Sequence, residues 1–321
     1  MKNSSKVYNW GIIGPGKIAH KFAEDIKLVP NAKLYAVASR SLDRAKEFAE
    51  QYSADKYYDF YEELAKDPNV DVIYIATTNN MHYEHTLLCL SNKKPCLCEK
   101  PFTLNSEQLT TLLNVAKKAD TFLMEALWTK FLPSMDAIAK NLPKIGKLLS
   151  ADINFGFKVP YNRNSREYAP ELGGGSLLDI GIYPIFLALH LWGEPEWVKA
   201  SAEFSKDDVD IHNNIEFIYD THTATLESSF KEDLECEAIF YGENGKLTML
   251  RMWHIPCPIS IEIDNKTEDI TPEYVGNGYN YEIAHVQECL NKNMKESDVM
   301  TFDFSLMLMK YLDKVDILQR M

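Results

Sequence analysis

Residues 10–19 read Trp-Gly-Ile-Ile-Gly-Pro-Gly-Lys-Ile-Ala, and this segment decides the fold of the N-terminal part of the chain. An apolar run at 10–13, typical of a buried strand, leads into Gly14-x-Gly16-x-x-Ala19, and an amphipathic helix follows. Gly14 permits a tight turn, Gly16 permits close backbone approach, and Ala19 keeps helix and strand close together. This order predicts a dinucleotide site, because the free N–H groups of a helix N-terminus bind phosphate. The residues expected to contact the cofactor here are Gly14, Pro15, Gly16, Lys17 and Ile18.

The first 127 residues alternate short apolar runs with helical patterns. Strands are predicted at 10–13, 33–38, 70–76, 95–98 and 121–124, and helices at 41–52, 83–91 and 106–119. Such alternation is typical of a doubly wound parallel sheet. Residues 1–127 are therefore predicted to be an α/β dinucleotide-binding domain.

Residues 128–321 have a different pattern and predict a second, α+β domain for substrate binding and dimerisation, with its C-terminal helix either within this domain or packed back on the first. Strands of a mostly antiparallel sheet are predicted at 148–157, 215–219, 223–228, 235–241 and 246–250. Helices are predicted from the triple glycine at 173 to about residue 192, at 281–291 and at 303–318. An open antiparallel sheet leaves one face uncovered, so we expect a homodimer through this sheet.

Composition and charge limit the expected partners. The formal net charge is −13, and no basic stripe is present, so nucleic acid is not expected. No apolar stretch reaches the ~18–20 residues of a membrane span, and the first residues lack a signal-like apolar region. We therefore expect a cytoplasmic protein with six reduced cysteines and a small-molecule substrate. Histidines without paired spacing predict that there is no metal site.

The end of the second predicted strand bears on which dinucleotide is bound. An NAD site normally has a carboxylate there for the ribose hydroxyls. This chain has Ala38-Ser39-Arg40-Ser41 instead. A guanidinium can pair with a 2′-phosphate, so Ser39 and Arg40 favour NADP. Alternatively, Arg40 is a solvated loop charge and NAD is used.

Two further segments have the character of a catalytic site. Glu99-Lys100-Pro101 follows an apolar strand at the sheet edge where ligands of such folds bind, although a simple loop start is the alternative. In Gly173–Pro184, Asp179 and Tyr183 lie four residues apart and share one helix face. Pro184 is expected to distort this helix. Residues that disfavour a regular helix, such as these glycines and this proline within a helical segment, are typical of functional sites.

These motifs, with Met-Glu-Ala-Leu-Trp at 124–128, resemble the glucose-fructose oxidoreductase / inositol dehydrogenase / rhizopine-catabolism family over nearly the whole chain. The resemblance implies an N-terminal Rossmann domain and an active site of Lys100, Asp179 and Tyr183. It also implies hydride transfer between NADP or NAD and a sugar, cyclic polyol or dihydrodiol. Further cofactor contacts are implied at Thr77, Asn79, His82, Glu99, Lys100 and Trp128.

The sequence departs from the family pattern at two places. Many members have histidine where this chain has Tyr183, whereas one branch has tyrosine. The family often carries Thr-Pro-x-x-x-His, and this chain has Thr77-Thr78 before His82, which changes the loop. Two roles for His82 stay open, a donor facing nicotinamide or substrate and a helix-start cap.

The expected mechanism assigns the general base to Tyr183. A free tyrosine has a pKa near ~10, and an adjacent Lys100 ammonium would favour its phenolate. Lys100 can also bind the nicotinamide ribose, and Asp179 would orient the substrate hydroxyl or Lys100. Four aromatic residues are candidates for the pocket wall, although each is more often a core residue: Trp128, Phe157, Tyr161 and Tyr168. Arg163 and Arg166 either bind substrate or are solvated.

Two other functions remain open at this point. A cofactor-binding sensor would have the same fold without turnover, but the intact Lys-Asp-Tyr set argues against it. A glycosidase that uses hydride transfer transiently would retain its cofactor and release no net NADPH.

Overall fold

The computed structural model describes residues 6–321, which form two compact units. The first unit contains the described residues up to Phe131 together with Val275–Leu306. The second contains Leu132–Tyr274 and Met307–Met321. The first unit thus extends four residues past the predicted boundary at 127/128 and takes in a stretch near the C-terminus.

The first unit is built on a six-stranded parallel sheet with the order β3-β2-β1-β4-β5-β6. Its strands are β1 (Tyr8–Ile13), β2 (Ala32–Ala38), β3 (Lys56–Tyr58), β4 (Val72–Ile75), β5 (Cys96–Glu99) and β6 (Leu123–Ala126). The strand order reverses between β1 and β4, which is where open α/β sheets bind ligands. The predicted doubly wound sheet is confirmed. The short edge strand β3, which has few apolar residues, was not predicted.

Helices cover this sheet. They are α1 (Lys17–Asp25), α2 (Leu42–Tyr52), α3 (Tyr61–Lys66), α4 (His82–Ser91) and α5 (Ser106–Ala119). Helix α8 (Tyr279–Asn291) also belongs to this unit and contacts α1. Its N-terminus is held by Asp25, a buried carboxylate of α1 that accepts hydrogen bonds from the N–H groups of Asn277 and Tyr279. This long-range capping explains why the helix groups with the first unit.

The second unit contains an eight-stranded sheet with the order β14-β13-β12-β11-β7-β10-β9-β8, antiparallel except between β7 and β10. Its strands are β7 (Leu148–Gly156), β8 (Trp197–Phe204), β9 (Asp210–Ile218), β10 (Thr223–Ser229), β11 (Ala238–Gly242), β12 (Gly245–Met249), β13 (Ile259–Ile263) and β14 (Lys266–Ile270). The mostly antiparallel second sheet is confirmed. Helices α6 (Pro133–Asn141) and α7 (Ile182–Trp192) also belong to the second unit. Helix α9 (Phe302–Gln319) lies near the end of the chain.

The core helix α7 follows an irregular turn. The expected distortion near Pro184 takes the form of a π-helical turn, Leu177–Gly181, directly before α7. Short π-helical insertions are frequent at functional sites. The apolar stretch that includes α7, Pro170–Trp192, has the length and hydropathy of a membrane span, which the sequence analysis had excluded. However, 83% of its apolar window is buried inside the structure, as in a core helix.

Candidate active site

The glycine turn after β1 has an open helix N-terminus. Gly14 has a φ of +86°, and a Cβ there would lie 2.9 Å from the Ala76 carbonyl oxygen, so glycine is required. A Cβ on Gly16 would meet no atom closer than 4.0 Å, which leaves space for a ligand. Helix α1 begins at Lys17 with no side-chain cap and no acidic residue in its first turn. These N–H groups are thus available to a pyrophosphate.

Two guanidinium groups lie near the end of β2. Arg40 is exposed and close enough to His85 to help lower the pKa of that histidine, after burial as the main cause. Arg44, in the first turn of α2, donates to the carbonyl of Pro15 in the glycine turn at 3.3 Å. Ser39 is buried and its hydroxyl accepts from the N–H of Ser41. Sequence reasoning missed Arg44, although its i+4 spacing from Arg40 was a usable signal.

The segment after β5 is held by two buried carboxylates. Glu99 accepts a bond from the N–H of Lys100 at 3.3 Å and another from the hydroxyl of Tyr74. Glu125, on the neighbouring strand β6, accepts from the N–H of Phe102 at 3.1 Å. The Lys100–Pro101 peptide is cis. The hydrogen bonds to Glu99 and Glu125 thus hold the backbone around Lys100 at the carboxyl edge of the sheet.

Burial sets the charge of Glu125. Its side chain is 1% exposed, and loss of solvation raises its pKa to about 7. Hydrogen bonds from Ser305 and Phe102 and the charge of Lys100 lower the pKa, whereas Glu99 raises it. Glu125 is consequently divided between its neutral and ionised forms near neutral pH.

The loop after β4 contains the three predicted contacts Thr77, Asn79 and His82. His82 is buried, with Nδ1 2.7 Å from the carbonyl oxygen of Pro101 and Nε2 3.1 Å from that of Thr77. Burial also lowers its pKa. The histidine joins the loops after β4 and β5, and it makes no side-chain cap to α4. Thr77 contacts His85 Nδ1 at 3.0 Å, and Asn79 begins a short 3₁₀ helix.

Trp128 begins the 3₁₀ helix that follows β6 at the same sheet edge. It is 6% exposed and stacks on Tyr279 with ring centroids 4.5 Å apart. Most of this side chain therefore packs within the first unit, and only a small edge remains accessible to a ligand.

In the second unit, Asp179 is held by a bidentate ion pair. Arg166 Nη1 and Nη2 donate to the two carboxylate oxygens at 3.1 and 3.0 Å. Burial works against the charge of Arg166, but Asp179 outweighs it, so the pKa of the guanidinium is raised. Tyr183 also helps to raise the pKa of the Arg166 guanidinium, so Asp179 and Tyr183 both lie near this group and on the same face of their helical segment. Arg166 is thus paired with Asp179 and Glu167, while 53% of its side chain stays exposed.

Tyr183 lies in an aromatic group. It is 6% exposed, and its ring packs edge-on against Phe155 and lies 5.2 Å from the ring of His254. Phe155 and His254 stack at 4.0 Å. His254 is a residue that sequence reasoning missed, because no motif connects it to Tyr183 and only the sheet brings them together.

The glycine run before Asp179 is held by a buried acid. Gly175 has a φ of +122°, and a Cβ there would lie 2.2 Å from Asp210 Oδ1. Asp210 accepts bonds from the N–H of Leu177 and the hydroxyl of Ser176. Gly181 is needed for another close approach, because its Cβ would lie 2.8 Å from Ser228 Oγ on β10. The absence of a side chain at Gly181 therefore allows β10 to pack closely against the π-helical turn.

The other aromatic candidates form a second group in this unit. Phe157 and Tyr168 both lie near Phe230, and Tyr161 packs edge-on against Tyr168. Phe157 and Tyr161 are exposed, so they can meet a ligand. Arg163 pairs with Glu171 and Asp207 on the surface.

The predicted site residues thus form two sets. The first set lies at one edge of the sheet in the first unit. It comprises the glycine turn, the end of β2, the loop after β4, the Lys100 segment and Trp128. Asp179 and Tyr183 lie together in the second unit. This combination of sheet, open glycine turn and titratable groups defines an NAD(P)-dependent oxidoreductase.

Comparison with protein families agrees with this class. A model described as "Oxidoreductase family, NAD-binding Rossmann fold" (GFO_IDH_MocA) matches residues 8–127. The "GFO/IDH/MocA C-terminal domain" matches residues 142–248. The trans-1,2-dihydrobenzene-1,2-diol dehydrogenase of Mus musculus is 33% identical over 95% of each chain. That of Xenopus tropicalis is 35% identical over 95% of this chain and 96% of the relative.

Solved structures show the same fold. KijD10, a 3-ketoreductase from Actinomadura kijaniata solved with NADP and TDP-benzene, matches with a TM-score of 0.89, 26% identity and 97% of each chain. The aldose-aldose oxidoreductase from Caulobacter crescentus matches with a TM-score of 0.89 at 22% identity over 98% of each chain. The chain belongs to the GFO/IDH/MocA oxidoreductase family, which confirms the predicted family. It is a dehydrogenase acting on CH–OH groups.

Proposed function

We propose that this protein is an NADP-dependent dehydrogenase that acts on a hydroxyl of a sugar, cyclic polyol or dihydrodiol, or on the corresponding carbonyl. The observation that carries the proposal is the placement of the Lys100 segment. It leaves the same sheet edge as the open glycine turn and is fixed there by Glu99 and Glu125. The names of the dihydrodiol dehydrogenases and of the 3-ketoreductase KijD10 support a hydroxyl or carbonyl substrate.

The site residues take distinct roles in this proposal. When bound, the nicotinamide ring accepts or returns the hydride. Tyr183 takes the proton from the substrate hydroxyl and gives it back in the reverse direction. Asp179 orients the substrate hydroxyl, and Arg166 holds this carboxylate in its charged form and in one orientation. Lys100 binds the nicotinamide ribose.

A substrate screen tests the activity. NADPH formation would be followed with aldoses, inositols and trans-dihydrodiols, and NADPH consumption with the matching carbonyl compounds. We expect turnover with at least one class and none with Lys100→Met. Failure of every class, together with tight NADP binding, would contradict the proposal and favour a cofactor-binding sensor. Retained cofactor without net NADPH release would favour transient hydride chemistry.

The preference for NADP is supported by Arg40 and Arg44. Both are exposed near the end of β2, and Arg44 already contacts the glycine turn. Removing a charge-assisted hydrogen bond of about 1.5–3 kcal/mol should raise the KM for NADP roughly 10- to 100-fold. We expect this result for Arg40→Ala and Arg44→Ala with the KM for NAD nearly unchanged. Lys46→Ala, on an exposed side of α2, is the matched control. Equal effects on both cofactors, or a native preference for NAD, would refute the assignment.

We also propose a homodimer through the outer face of the second sheet. The inner face buries alternate residues such as Ile153 and Leu226. The outer face presents exposed Asp152 and Thr225, which are in register, and Trp197 with 70% of its surface exposed. A polar face with one large aromatic residue is compatible with a hydrogen-bonded interface between two copies.

A cytoplasmic location completes the proposal. All six cysteines lie among the described residues, and none forms a disulfide. Unpaired thiols are typical of reducing compartments. Fractionation of the source cells tests the location, and recovery of the protein outside the cytoplasm would contradict it.

A further inference from the structure

Within the first unit, the C-terminal half of α8 and the loop after it bring together three different metal-binding side chains. His285 and Cys289 lie one turn apart on α8, and Asp298 lies on the following loop. His285 Nε2 lies 3.4 Å from Cys289 Sγ and 3.6 Å from Asp298 Oδ1. All three ligand atoms lie within 4.8 Å of one another. The histidine spacing in the sequence predicted no metal site, because a His-x-x-x-Cys pair was not considered.

The distances match those of a tetrahedral zinc centre. With Zn–N near 2.0 Å, Zn–O near 2.1 Å and Zn–S near 2.3 Å, tetrahedral ligands have N···S near ~3.5 Å and N···O near ~3.3 Å. The observed N···S and N···O separations of 3.4 and 3.6 Å are close to these values, and the S···O separation lies within 4.8 Å.

The tautomer of His285 also fits a metal ligand. The hydroxyl oxygen of Ser297 accepts from the N–H groups of Val299 and Met300. Its single hydrogen therefore points to His285 Nε2, 2.7 Å away. Nε2 is consequently unprotonated, and its lone pair is directed at the Ser297 hydroxyl. A bound cation would take this lone pair in place of the hydroxyl.

The surroundings favour a cation and keep the ligands in place. Cys289 and Ser297 are buried, whereas the Asp298 side chain is 63% exposed and leaves a path for entry. The backbone N–H of Asp298 bonds to the sulfur of Cys289 and so holds the loop against α8. The nearby Lys292 is paired with Glu288 at 2.6 Å, so its positive charge is partly offset.

We propose that His285, Cys289 and Asp298 form a binding site for Zn²⁺ or a similar divalent transition metal, with water as the fourth ligand. Nitrogen, thiolate and carboxylate ligands are the combination that Zn²⁺ accepts. The metal would join the loop at 292–301 to the end of α8. The site is separate from the proposed hydride-transfer residues and does not depend on the proposed function.

Titration with Co²⁺ as a spectroscopic probe tests the site on the purified full chain after treatment with a chelator. We expect a thiolate-to-cobalt charge-transfer band and the visible bands of tetrahedral Co²⁺, both displaced by one equivalent of Zn²⁺. Cys289→Ser should abolish the charge-transfer band. His285→Gln and Asp298→Asn should weaken Zn²⁺ binding at least about 100-fold, since loss of a ligand costs more than loss of its supporting contacts.

Cys257→Ser is the matched control, because Cys257 is buried in the second unit and contacts the carbonyl of Trp253. It should leave the cobalt spectrum unchanged. Asp298→Asn keeps the test valid if the buried variants fail to fold, because this side chain is exposed. Absence of the charge-transfer band in the folded wild-type protein, or its persistence in Cys289→Ser, would overturn the proposal.

Discussion

Tyr183 is the residue whose chemistry is tested most directly by a single change. Tyr183→Phe keeps the ring that packs against Phe155 and His254 but removes the hydroxyl. Because general acid–base groups contribute about 10²–10⁴-fold, we expect kcat to fall by that factor while the affinity for NADP stays within about twofold. Steady-state kinetics and cofactor titration measure the two quantities.

Tyr168→Phe is the control for this substitution. Tyr168 is also a buried tyrosine of the second unit, and its hydroxyl donates to the carbonyl of Val159. Its loss should cost about 1 kcal/mol of stability and leave turnover nearly intact. Wild-type kcat in Tyr183→Phe would remove this residue from the mechanism.

At the scale of elements, the segment between β5 and α5 depends on the buried Glu125. Its pKa of about 7 in the folded protein compares with 4.5 in an unfolded chain. Between these values the folded state binds the extra proton, so this group lowers stability as the pH rises from about 4.5 to 7. The full effect, present above pH 7, is on the order of 3 kcal/mol.

Glu125→Gln keeps an acceptor for the N–H of Phe102 but cannot ionise. We therefore expect its free energy of unfolding, relative to wild type, to be higher at pH 8 than at pH 5 by about 1–3 kcal/mol. Urea unfolding at both pH values measures this difference. The exposed Glu107→Gln should show none. If Glu125→Gln and the wild type differ by the same free energy of unfolding at pH 5 and pH 8, Glu125 is ionised at both pH values.

The glycine run before the π-helical turn gives a second test at this scale. Gly175 and Gly193 both have positive φ, at +122° and +71°. Alanine at either position should cost about 1–3 kcal/mol in backbone strain. Gly175→Ala must also displace Asp210, whereas a Cβ on Gly193 meets no atom within 4 Å. We expect Gly175→Ala to lose more stability in urea unfolding and to lower kcat as well, since Asp179 lies in the same turn. Equal losses would contradict this account.

At the scale of the whole molecule, the prediction concerns assembly. Sedimentation velocity should give a species of twice the 36.8 kDa of one chain. Trp197→Glu should weaken the association, because it places a charge on the outer face of the second sheet. Val275→Glu, an exposed apolar position in the first unit, should have no effect. A wild-type monomer would remove the proposed dimer.

The sequence by itself determined the two kinds of sheet and the glycine turn, and it predicted that Asp179 and Tyr183 share one helix face. Each depends on residues within a few positions of one another, where periodicity and backbone geometry act directly. The sequence also predicted that Arg40 and Lys100 belong to the site, because each follows a predicted strand.

Only the tertiary structure decided how these residues are held. The contact of Phe102 with Glu125 and the capping of α8 by Asp25 join residues far apart in sequence. The same holds for His254 beside Tyr183. Such contacts depend on burial and on which strands are neighbours, and neither is encoded in a local pattern. For this reason the sequence predicted the candidate reacting groups, while the fold determined which buried carboxylates and guanidinium groups lie beside them.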